Sequence, residues 1–127
     1  MGISNRKLDE LASAWIKFHQ AQETPQDSGQ LAWAFDRLDD LVRDEPESAW
    51  RVIEHIRRLK PDDLILANLA SGPLEDFIMR HGDEFIDRIE SAARSDPQLK
   101  KLLGAVWRND ISSQVWGRIG KISSSSW

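Results

Sequence analysis

The chain of 127 residues, 40% hydrophobic and 30% charged, has the length and balance of a single small folded domain and is too apolar for a disordered chain. Its net charge of −4, from 21 acidic against 17 basic residues, argues against a general phosphate-binding surface, and so against nucleic acid as a partner. The absence of cysteine excludes disulfides, thiolate zinc sites and a cysteine nucleophile, and no apolar run approaches the roughly 20 residues that span a bilayer.

The start, Met1 to Lys7, leads into a charged helix rather than an apolar leader, and Arg6 stands where a myristoylation signal has Ser or Thr. A cytoplasmic protein is therefore expected. Helical periodicity then dominates. Leu8, Leu11, Ala12, Trp15, Phe18 and His19 recur at three- and four-residue spacing and predict a first helix over about 5–21. Thr24-Pro25 breaks the chain, and Asp27 to Gln30 reads as a capping box that opens a second helix over about 28–43. Leu31, Ala34, Phe35, Leu38, Leu41 and Val42 mark its buried face.

Pro46 suits the first turn of a third helix, with Ala49, Val52, Ile53, Ile56 and Leu59 as its stripe and Pro61 as its end. A fourth, over about 62–70, is apolar almost all round and is expected to be central. Ser71-Gly72-Pro73 separates it from a fifth helix carrying Leu74, Phe77, Ile78 and His81, for which Gly82 is a left-handed stop. Phe85, Ile86, Ile89, Ala92 and Ala93 form a sixth; Asp96-Pro97 starts a seventh with Leu99, Leu102, Leu103 and Val106. A weaker eighth, over about 112–122, holds Val115, Trp116, Ile119 and Ile122. The expectation is an all-α chain, a compact HEAT-like array or irregular bundle of about seven to eight short antiparallel helices. It predicts one helical domain over 1–122 and a mobile, serine-rich tail over 123–127.

The second helix carries the most informative pattern. Opposite its apolar stripe stand Trp33, Asp36, Arg37, Asp40 and Asp44, a tryptophan within an acidic face. Two readings stay open: Trp33 is sandwiched against a neighbouring helix, or it anchors a binding surface whose aspartates attract a basic partner. Of the other tryptophans, Trp15 falls on a core stripe, and Trp50, Trp107 and Trp116 lie at stripe margins where an indole can bury its ring.

Other constellations have local explanations. His19 and His81 lie on apolar stripes and His55 on a polar face, with no metal-binding helix spacing; the ordinary reading is two hydrogen-bonded core histidines and one surface histidine. Neither a metal nor another cofactor is expected. Glu75 is placed to cap a helix start after Gly72, and Asp76 to pair with Arg80. Glu75, Arg80 and His81 could alternatively line a small-ligand or catalytic pocket, though they make no complete acid, base and nucleophile set. Arg51, Arg57, Arg58 and Lys60 form a basic cluster beside Trp50, of the kind that solvates or pairs with acids.

Several stretches are similar to a family of small bacterial helical proteins: Trp33-Ala34-Phe35 with Leu38 to Val42, Pro46 to Trp50, Ala70 to Asp76 with His81-Gly82, and Asp96-Pro97 with Gly104 to Trp107. The resemblance runs from about Trp15 to Ile119, and that family is a domain of unknown function. It implies a bacterial, cytoplasmic, helical protein and carries over no site residue. Leu99 stands where such proteins have an aromatic residue after the Asp-Pro pair. Together the patterns lead to a protein-interaction module, with a toxin-neutralising (immunity-type) protein as one form of it. The alternatives are the pocket at Glu75, Arg80 and His81, and a self-associating module with Trp116 at a symmetric interface.

Overall fold

The computed structural model describes residues 3–20, 25–108 and 110–123, the side chains of 25–28 excepted. Among them lie seven α-helices and no strand, so the all-α expectation holds. They are α1 (Asn5–Gln20), α2 (Pro25–Asp44), α3 (Pro46–Arg58), α4 (Asp63–Leu69), α5 (Glu75–Arg94), α6 (Pro97–Gly104) and α7 (Ser113–Ile122), with a π-helical turn at Ala70–Leu74. The expected tail lies almost wholly outside the described residues. The chain divides into two compact units, Met1–Asn68 and Leu69–Trp127.

In the first unit α1 packs on both α2 and α3, and α2 packs on α3. Trp15 and Leu11 of α1, Leu38 and Leu41 of α2, and Ile53 and Ile56 of α3 are fully buried, as their spacing predicts. Burial of each such aliphatic side chain contributes about 1.5–3 kcal/mol. Proline begins α2 and α3, where its missing N–H would have had no helical partner. Pro25 thus opens α2 three residues before the predicted start, and the side chains of the proposed Asp27 cap lie outside the described residues. Helix α3 ends before Lys60, whose φ of 55° is left-handed, directly ahead of Pro61. Asp62 then caps α4, its Oδ1 accepting from the Ile65 N–H at 3.0 Å.

Three apolar expectations are corrected here. Leu59, expected on the α3 stripe, is 43% exposed just past the end of that helix. Phe35 is 45% exposed rather than buried, its ring 5.6 Å from that of Phe18. Leu64 is 70% exposed, so α4 buries Ile65, Leu66 and Leu69 but is not enclosed on all sides.

In the second unit α5 is the central element, with α6, α7 and the π turn packed along it. Ser71-Gly72-Pro73 does not break the chain. Pro73 has no N–H for the Leu69 carbonyl four residues back, and its ring would press on that carbonyl. The wider π turn accommodates this: the Glu75 N–H donates to the Ala70 carbonyl, five residues back, and the helix runs on.

The predicted stop at Gly82 is likewise overturned. The predicted fifth and sixth helices form one, α5, and Gly82 lies inside it without a positive φ. Its hydrogen side chain serves close packing instead, because a Cβ there would stand 3.0 Å from Val115 Cγ1 on α7. Both caps of the later helices use side chains: Asp96 Oδ1 accepts from the Leu99 N–H at 3.2 Å and Ser112 Oγ from the Val115 N–H at 3.3 Å. Leu99 is fully buried.

Candidate functional site

Trp33 is 50% exposed and so is not sandwiched against a neighbouring helix. Asp36, Arg37, Asp40 and Asp44 are exposed as well. Helical spacing aligns Trp33, Arg37, Asp40 and Asp44 in a row along α2, with Asp36 beside it. The row borders a groove of about 530 Å³, whose other wall is Ile3 and Ser4, just ahead of α1, with Lys7, Glu10 and Leu11 of α1. Arg37 and Glu45 complete the lining.

The α1 wall is fixed from α3. The Ile3 N–H donates to Ser48 Oγ at 3.2 Å, and Arg51 donates to the Ile3 carbonyl at 2.6 Å and to Asn5 Oδ1 at 2.9 Å. Arg51 is therefore a positioning group for the groove rather than part of a basic patch. Arg57 also leaves the expected basic cluster, being buried in a pair with Glu54, while Arg58 and Lys60 stay exposed.

Electrostatically the site is acidic with loosely held internal ions. Arg43 pairs with Asp40 at 2.7 Å and reaches Asp39 and Asp44 at 3.7 Å; these bonds, Asp40 first, raise its pKa above the ordinary arginine value. Arg37 lies 3.9 Å from Glu45, and Arg6 lies 3.3 Å from Glu10. Residues 1–68 hold nine basic and thirteen acidic side chains, a net −4, whereas residues 69–127 hold eight of each. The whole acidic excess of the chain thus belongs to the unit that carries the groove.

Glu75, Arg80 and His81 are not brought together. Glu75 Oε1 accepts from the Trp107 N–H at 2.9 Å, which corrects its expected capping role, and Arg80 pairs with Asp76 at 3.0 Å as predicted. The His81 ring sits 5.5 Å from Phe77 and 6.5 Å from Phe85. Five and six residues along one helix, Arg80 and His81 project about 140° and 120° away from Glu75. Trp107, expected at a buried margin, is 74% exposed because α6 ends at Gly104 and leaves it on a connection. No group of three or more His, Asp or Glu among the described residues could hold a metal ion.

The histidines differ from the ordinary reading at one point. His55 is a surface histidine joining α3 to α1, its Nε2 3.0 Å from Asp9 Oδ1. His19 has two buried ring nitrogens without a hydrogen-bond partner among the described residues, beside Trp15, whose buried Nε1 also lacks one. The two rings are 4.2 Å apart. Burial lowers the His19 pKa from 6.5, so the folded state favours the neutral ring. The stabilisation is complete above pH 6.5 and is lost as pH falls through the lowered folded value. His19→Phe is expected to lose less stability than the native protein between pH 7 and about 5. Parallel denaturation curves would count against this.

The α2 half of the site was readable as an exception to amphipathic patterning; the α1 wall was not. Ile3, Ser4, Lys7 and Glu10 form no motif, and only the packing of α1 on α2 and the tether to α3 bring them opposite Trp33. No curated protein and no solved structure matches the chain. A family model matches residues 20–127, so the α2 side of the groove falls within the match and the α1 wall precedes it. The chain belongs to DUF6869, a family of unknown function.

Proposed function

We propose that the protein is a protein-interaction module whose docking surface is the Trp33 groove together with the acidic row of α2. The observation that carries this reading is an indole held 50% in solvent at the edge of a groove, within an acidic face. Leaving so large an apolar ring half in water forgoes burial energy, and tryptophans ringed by polar residues are frequent energetic centres of interfaces. The partner is a basic protein, because the acidic excess of residues 1–68 would speed its approach and orient it. An immunity-type protein that covers the basic active site of a toxin is the finer form of this reading. Small size, acidity and the resemblance to bacterial proteins support it, and the lack of cysteine suits a reducing cytoplasm.

The test is capture from a lysate of the source organism by native protein and by a Trp33→Ala, Asp36→Lys, Asp40→Lys variant. All three side chains are exposed, so the variant is expected to keep its fold, checked by its circular dichroism and melting temperature. A basic protein held by the native chain and weakened at least about thirtyfold by the variant is the expected result, since interface anchors are worth about 2 kcal/mol or more. Equal retention by both proteins would place the interface elsewhere.

A further inference from the structure

We infer that the Trp33 groove is a receptor for an arginine side chain presented by a basic protein segment. The inference rests on the docking reading above and names what the groove takes. Three features of its wall point to a guanidinium. Trp33 lines the groove and is 50% exposed, so its indole is accessible there, and on an indole face a guanidinium stacks with less desolvation than a lysine ammonium. Two carboxylates, Glu10 and Glu45, line the same groove and can each accept the paired N–H groups of arginine.

Those carboxylates are also available for exchange. Their present partners, Arg6 at 3.3 Å and Arg37 at 3.9 Å, are exposed side chains in pairs of a kind worth about 0–1 kcal/mol. An incoming guanidinium therefore replaces weak contacts rather than breaking a buried network. Lys7 and Arg37 also line the groove and make its own charge even. The adjoining Asp36, Asp40 and Asp44 and the net −4 of residues 1–68 tip the surroundings towards a cation. The volume, about 530 Å³, admits one long side chain with the backbone that bears it.

The experiment is calorimetric titration of the full chain with blocked hexa-arginine, hexalysine and hexaglutamate peptides, at low and at high salt. Hexa-arginine is expected to bind several-fold tighter than hexalysine, and hexaglutamate not at all. Trp33→Ala is expected to abolish the arginine preference while sparing the salt-dependent attraction common to both basic peptides. Glu10→Gln with Glu45→Gln should weaken hexa-arginine several-fold, whereas Asp36→Asn, Asp40→Asn and Asp44→Asn together should weaken both basic peptides alike. Equal affinity for arginine and lysine, a preference that survives Trp33→Ala, or binding of hexaglutamate would each overturn the arginine receptor. Capture of a protein partner that depends on Trp33 but shows no arginine preference would overturn this inference and leave the docking surface standing. Capture indifferent to Trp33 and the aspartates, with arginine selectivity intact, would do the reverse.

Discussion

Glu54→Ala is expected to remove about 3 kcal/mol or more of stability, although both Glu54 and its partner belong to a charged residue class that sequence reading assigns to the surface. Glu54 and Arg57 stand one turn apart on α3, with side chains 9% and 5% exposed. Arg57 donates from Nε to one carboxylate oxygen and from Nη2 to the other, each at 2.9 Å, a two-pronged pair held almost out of water. Truncating the carboxylate takes from a guanidinium in a low-dielectric setting the two charge-assisted hydrogen bonds of Glu54, so that its desolvation is offset less. The loss should appear as a lower urea midpoint with an unchanged slope. Replacing both groups, as in Glu54→Leu with Arg57→Met, is expected to recover part of it, because no charge is then left buried. A Glu54→Ala loss within about 0.5 kcal/mol, the ordinary size for a surface change, would refute the account.

The same pair shows where sequence legibility ended. The apolar period of α3 correctly placed Ala49, Val52, Ile53 and Ile56 inside, but α3 also buries Ser48, Trp50, Glu54 and Arg57 around its circumference. A single helix period cannot announce that burial, because it depends on what packs against the remaining face. Local chemistry was more readable: the Asp96 cap, the Pro46 start and the Asp76–Arg80 pair each depend on residues within four of one another. Punctuation was read less well wherever tertiary context outweighed it. Gly72-Pro73 became a π turn and Gly82 a packing point, since neighbouring helices stabilise a continuous path that local propensity alone would interrupt. For the candidate site, Trp33 and its acidic neighbours were visible as a defect in amphipathic order. The groove was not, because half of its wall comes from a segment 22 or more residues away in the chain.

Gly82→Leu is expected to lower stability by about 2–3 kcal/mol, and the contrast with Gly82→Ala identifies the cause. At Gly82 a single added carbon would lie 3.0 Å from Val115 Cγ1 and 3.3 Å from Ile78 Cγ2, tighter than ordinary van der Waals contact. Alanine brings a helix-propensity gain of about 1 kcal/mol, which the slight retreat of the Val115 methyl can offset, so its net effect should stay within about 1 kcal/mol. Leucine has no such room. It forces α7 away from α5, and with α7 goes Arg118, which bridges Glu90 and, at 2.5 Å, Asp87 across the two helices. The bond from Arg118 holds the Glu90 carboxyl below its usual pKa, so loss of the contact should return Glu90 towards an ordinary titration. Carbon-detected NMR of the carboxylates thus gives a readout separate from unfolding. Were Gly82 merely a poor helix former, alanine and leucine would both stabilise and Glu90 would titrate as before. A leucine variant that unfolds earlier and titrates Glu90 at a higher pH is what a glycine chosen for helix contact requires.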